Sequence, residues 1–182
     1  MLYLVEHKQK FDDLRTALHE ENRTQLRRSA NGGNTVLFVY PPGEEEEYIA
    51  EAQTRYPDGH FIDIAELLVK SIDSVGLNDF KEFYQNHIST PDVVFTNEDP
   101  NCLFSLIINE ICAASQVGKT TFLIHTGALE GTGIENVNIM EHKSVMSQGI
   151  PLVIFYPATT KNSELLFLNH KPASKYRCKL VK

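Results

Sequence analysis

Apolar residues along this chain follow two rhythms. Over 5–21 they recur at helical spacing, with Phe11, Leu14 and Leu18 separated by charges, and predict an amphipathic helix. Over 35–40 they run unbroken as TVLFVY, the pattern of a strand covered on both faces. Between the two, 22–34 is polar and closes on Asn-Gly-Gly-Asn, a turn signal. The alternation then continues. Residues 44–56 predict a helix with Tyr48, Ile49 and Ala52 facing inward and the leading glutamates at the positive end of its dipole.

Residues 60–64 predict a short strand and 65–75 a helix. Asn78 is the expected cap of a further helix carrying Phe80, Phe83 and Tyr84. Residues 92–96 read as a short strand. Asp99-Pro100 is the expected opening of a long helix that reaches about Gln116, with Leu103, Phe104, Ile107, Ile108, Ile111 and Cys112 inward. Buried strands are expected over 120–125 and 151–156, with a helix over 136–148 between them. Residues 164–168 and 175–181 predict two last strands, antiparallel to one another.

Strands alternating with helices imply a three-layer α/β/α fold with a mostly parallel central sheet and P-loop-NTPase-like topology. The expectation is one domain over 1–182, with a helical extension and linker over 1–34 and a core over 35–182. Composition agrees: 42% of the 182 residues are hydrophobic and 23% charged. No apolar run approaches the roughly 18 residues of a membrane span. The opening MLYLVEHKQKF lacks the pattern of a secretory signal. Three cysteines without metal-type spacing suit a reducing compartment, so a cytoplasmic location is expected.

The net charge of −7 hides a gradient. Residues 44–82 carry eleven acidic and three basic side chains, whereas 162–182 set Glu164 against Lys171, Lys175, Arg177, Lys179 and Lys182. Such asymmetry suits two different protein contacts, and the overall acidity argues against broad nucleic-acid binding.

Gly118-Lys119-Thr120 spells the end of a phosphate-binding loop, but a working loop runs strand, turn, helix. Here a predicted helix precedes it and a strand follows. Gly118 is better read as the left-handed residue that closes the helix, with Lys119 near its negative end. The turn after the first strand, where such a loop belongs topologically, reads Pro41-Pro42-Gly43-Glu44-Glu45-Glu46-Glu47. It has no lysine and four carboxylates that would repel phosphate, so no functional Walker motif is present. Neither a GxSxG elbow nor a GxGxxG fingerprint occurs, and the seven histidines show no metal-ligand spacing. His125 is read as a core residue of its strand. No catalytic, cofactor-binding or metal-ligating set is expected. The remaining candidates for ligand or partner contact are Pro42, Gly43, Glu44, Glu45, Thr126, Gly127, Tyr156 and Pro157 at strand ends, with Lys175, Arg177 and Lys179 in the tail.

Four stretches, in order, carry a family resemblance: TVLFVYPPGEEEEYIAEA, DPNCLFSLIINEICAA, TFLIHTGAL and NIMEHKSVMSQGIPLVIFYPA. Together they cover most of 35–157, and they resemble the BrxB-type component of bacterial BREX phage-defence systems. The resemblance implies a non-catalytic adaptor subunit without a cofactor. Its implied partners are an AAA-type ATPase, a DNA methyltransferase and an alkaline-phosphatase-like protein. The alternative from the residues is a small-molecule or nucleotide-binding enzyme or sensor with its site at the carboxyl ends of the central strands.

Overall fold

The computed structural model describes residues 2–173 and 177–182. In chain order the elements are α1 (Leu2–Leu18), α2 (Arg23–Ser29), β1 (Thr35–Tyr40), α3 (Glu45–Arg55), β2 (His60–Asp63), α4 (Ile64–Val75), α5 (Leu77–Asn86) and α6 (Pro91–Phe95). There follow α7 (Leu103–Gln116), β3 (Thr121–Ile124), α8 (Asn136–Met140), α9 (Lys143–Met146), β4 (Leu152–Lys161), β5 (Glu164–Phe167), β6 (Lys171–Pro172) and β7 (Cys178–Val181). The fold is mixed α/β. Among the described residues five strands lie in the order β2-β3-β4-β1-β7, each pairing parallel. The far half of β4 leaves this path and pairs antiparallel with β5, which pairs with β6.

The unbroken apolar runs are explained by where alternate side chains go. Val36, Phe38 and Tyr40 join Phe11 and Leu14 of α1 and Tyr48, Ile49 and Ala52 of α3 in one buried cluster. Leu37 and Val39 point the other way, into a second cluster with Ile62, Leu67 of α4 and Leu103, Ile107 and Ile111 of α7. A strand with both faces buried has no place for a polar alternation. Each such side chain contributes about 1.5–3 kcal/mol of transfer free energy.

Several expectations change. The polar stretch after α1 contains a helix, α2, anchored by buried Leu26 and by Arg27, whose Nη2 donates to the Gln148 carbonyl at 2.8 Å. Residues 92–95 are helical rather than extended. Pro91 starts α6, and Val94 and Phe95 are buried beside Phe80 and Tyr84. Their β-branched and aromatic character had suggested a strand, but packing overrides so short a local signal. Asn78 lies inside the first turn of α5, whose N-cap is Gly76. Asp99-Pro100 forms a turn before α7, in which Asp99 Oδ1 accepts the Asn101 amide at 2.8 Å, and Cys102 is the N-cap. The helix expected over 136–148 is two short helices, α8 and α9.

The largest change is at the tail. β7 pairs parallel with β1, Thr35 opposite Cys178, and not antiparallel with β5. Gly33 permits this approach. A Cβ there would stand 2.1 Å from the Arg177 carbonyl oxygen, so the second glycine of Asn-Gly-Gly-Asn serves a tertiary contact as well as a turn. Asn34, 2% exposed, seals the same corner by donating Nδ2 to the carbonyls of Gln148 and Ile150.

Candidate functional site at the carboxyl edge of the sheet

Parallel pairing aligns the carboxyl ends of the strands along one edge, where open α/β sheets take their ligands. β1 ends in Tyr40, β2 in Asp63, and β3 is followed at once by His125. Tyr156 and Pro157 of β4 lie opposite Val39 and Tyr40. The Gly118-Lys119 pair lies at the other end of β3: Gly118 has φ +79° and Lys119 N donates to the Ala114 carbonyl, as a helix closure does.

His125 is not a strand residue buried in the core. It leaves β3 in the left-handed region at φ 52° and ψ 38°, an uncommon conformation for a non-glycine residue, and its side chain is 28% exposed. Its Nδ1 meets Asp63 Oδ2 at 2.7 Å, and its Nε2 lies 3.6 Å from Glu46 Oε1. The other Asp63 oxygen caps α4, accepting the amides of Ala65 at 2.9 Å and Glu66 at 3.2 Å. One carboxylate thus starts a helix and orients an imidazole. This leaves Nε2 as the nitrogen able to exchange a proton at the edge.

Burial pulls the His125 pKa down. The hydrogen bond to Asp63 and the charges of Asp63, Glu45 and Glu46 together outweigh that and hold it above the ordinary 6.5. A raised value stabilises the fold fully below the unfolded pKa, and that stabilisation is lost as pH rises through the folded one. In ¹⁵N–¹H NMR, His125 should titrate above 6.5 and the Asp63→Asn variant lower than wild type; a wild-type midpoint at or under 6.5 would contradict the pairing.

The sequence candidates divide by position. Pro42, Gly43 and Glu44 form a 3₁₀ turn leading into α3. Glu45 accepts the Tyr40 hydroxyl at 2.5 Å, and burial, followed by that bond, pushes the Tyr40 pKa up. Thr126, fully buried, donates its hydroxyl to the Phe155 carbonyl at 2.5 Å and so ties the turn to β4. Gly127 lies beside Leu168. In the tail, Arg177 Nε lies 3.4 Å from Glu141 Oε1, Lys179 sits half-buried in β7, and Lys175 lies outside the described residues. Asp63 and His125 were not recognised as a pair from sequence. Each had a sufficient local reading, as cap and as strand residue, and only the β2–β3 register, Asp63 opposite Ile124, makes them neighbours.

Two further features accompany this edge. A cavity of about 60 Å³ lies beneath Tyr156, between the 129–137 segment and the β5–β6 hairpin. On the helical side, α4, α5, α6 and the segment between the last two expose Val69, Val75, Leu77, Phe83, Ile88 and Val93, with Leu77 and Ile88 each 69% exposed. Among the described residues no group of three or more His, Cys, Asp or Glu could hold a metal ion, and no helix is long and apolar enough to cross a membrane. No family model, curated protein or solved structure matches the chain.

Proposed function

We propose that this protein is a non-catalytic adaptor subunit that docks a partner protein on the face formed by α4, α5 and α6. The observation that carries the reading is the exposed apolar set. Of seven large hydrophobic side chains standing exposed among the described residues, six fall between Val69 and Val93. Isolated exposed leucines need no explanation, but such concentration on consecutive helices marks an interaction face. Helix α5 buries no residue fully, so its place in the monomer rests on the half-buried Phe80 and Tyr84 alone. The flanking charge is acidic: Glu66, Asp73, Asp79, Glu82, Asp92, Glu98 and Asp99 against Lys70 and Lys81. A partner surface of basic and apolar character is the complement.

The resemblance of 35–157 to BrxB-type proteins supplies the setting: a BREX-like anti-phage assembly in the bacterial cytoplasm. There the partners are an AAA-type ATPase, a DNA methyltransferase or an alkaline-phosphatase-like protein. A three-layer, P-loop-NTPase-like core without nucleotide chemistry belongs to the same reading. It is supported by the parallel pairing of β1 between β4 and β7 and by the acidic turn that leads from β1 into α3.

The test is co-purification of the tagged protein with a co-expressed member of each of the three partner classes. At least one should be retained by wild type and by Lys119→Ala, and lost at least tenfold in Leu77→Asp/Ile88→Asp. Substitutions at such exposed sites change stability by about 0.5 kcal/mol or less each, so unfolding midpoints should stay close. Capture of none of the three, or full capture by the double variant, would remove this function.

A further inference from the structure

The cavity beneath Tyr156 has a floor and a mouth of different chemistry. Its floor is apolar, made by Leu129, Ile134, Val137 and Phe167. Its mouth carries Glu130 and Glu135, bridged by one cation: Lys171 Nζ lies 3.0 Å from Glu135 Oε1 and 4.0 Å from Glu130 Oε2. His170 approaches Glu130 from the exposed side at 3.5 Å. Two carboxylates against one ammonium leave acceptors in excess.

Tyr156 stands between floor and mouth. It is 4% exposed, stacks at 4.8 Å against Phe167 and lines the cavity, yet its hydroxyl makes no hydrogen bond to a described residue. The hydroxyl oxygen itself is not sealed off, whereas Asn136 Oδ1, which lines the same cavity, is buried with no hydrogen-bond partner among the described residues. Burial, with the negative charge of Glu135 next among the causes, pushes the Tyr156 pKa up, so the hydroxyl stays protonated and can accept as well as donate.

We propose that this cavity binds an alkylammonium group, its nitrogen at Tyr156 Oη and the Glu130 and Glu135 carboxylates and its short stem on the apolar floor. An ammonium brings three donors to these acceptors, and Asn136 Oδ1, buried without a partner among the described residues, adds one more in the same cavity. An anion would meet the carboxylate excess, and a neutral alcohol would forgo the charge-assisted bonds. Size sets the length. The cavity, at about 60 Å³, is well under the roughly 150 Å³ that admits benzene, so it takes the end of a chain and not a ring. Two sources carry such a group: a free small amine, or a lysine side chain of another protein.

The experiment is an NMR titration of the full chain with n-propylammonium, 1-propanol, propionate and Nα-acetyl-lysine methylamide. Saturable shifts at Tyr156, Phe167 and Glu135 are expected with an ammonium compound, with the alcohol and the acid at least tenfold weaker. Tyr156→Phe keeps the ring against Phe167 and should weaken binding about tenfold; Glu135→Gln, at a half-exposed position, should do likewise. Saturation by the lysine derivative alone supports the site and assigns it to a protein lysine. Saturation by propylammonium, with or without the lysine derivative, supports it and admits a free amine. Absence of shifts, equal response to the three propyl compounds, or unchanged binding in both variants would overturn the proposal.

Discussion

Phe38→Ala should lower the free energy of unfolding by about 3–5 kcal/mol, the range for emptying a fully buried aromatic site. Phe38 is 0% exposed at the centre of β1 and faces Phe155 of β4 in register, with ring centroids 4.9 Å apart. Phe11 of α1 stands 5.0 Å away and Tyr48 of α3 5.8 Å. The ring therefore joins two strands to two helices, and its loss cannot be repaired by the movement of one element. Part of the cost is transfer free energy and part the cavity left behind, since neighbours anchored in separate elements collapse incompletely. Urea denaturation should show a lower midpoint at unchanged slope. A loss under about 1 kcal/mol would mean that α1 and α3 do not meet over β1 as described.

Asp63→Ala should cost about 2–5 kcal/mol, large for a polar residue at a sheet edge. Two contributions add. Loss of an N-cap aspartate costs roughly 0.5–2 kcal/mol, and loss of a hydrogen bond to a charged group about 1.5–3 kcal/mol. Asp63→Asn separates them. An amide oxygen caps a helix about as well as a carboxylate, so α4 keeps its start while the charge facing His125 disappears. Its loss should be smaller than that of Asp63→Ala, and should shrink as pH rises through the titration of His125, because only the imidazolium gains from the charge. Equal losses for the two variants, at all pH values, would show that Asp63 acts on the helix alone.

What was legible in the sequence, and what was not, follows the range of the forces involved. The run Thr35–Tyr40 could be recognised as a strand buried on both faces because continuous apolarity is a local property, and Val36 to Tyr40 do alternate between two clusters. Tyr48, Ile49 and Ala52 were identified as inward from spacing alone. The sham phosphate loop could be dismissed for the same reason: a helix closure at Gly118 is written within a few residues. Short segments fared worse. Val93, Val94 and Phe95 carry strand-forming side chains, yet five residues cannot outweigh the contact with Phe80 and Tyr84.

The candidate sites were legible only in part. Of the strand-end candidates, Tyr156 lines the cavity, whereas Thr126 and Gly127 do not. That the Tyr156 hydroxyl meets no hydrogen-bonding partner among the described residues depends on Phe167 of β5 and on β6, which line the same cavity. Asp63 and His125 are 62 residues apart and touch because two strands pair in one register.

By itself, then, the chain's alphabet determined the longer strands and helices of the core, their order and which faces turn inward, since hydrophobic period and turn chemistry act over a few residues. Tertiary structure alone decided that β7 lies parallel to β1, that one carboxylate serves both a helix and an imidazole, and that six apolar side chains stay uncovered from α4 to α6. Those outcomes depend on which edges and faces remain vacant once the sheet has formed. That is a property of the whole packed chain and of no single stretch of it.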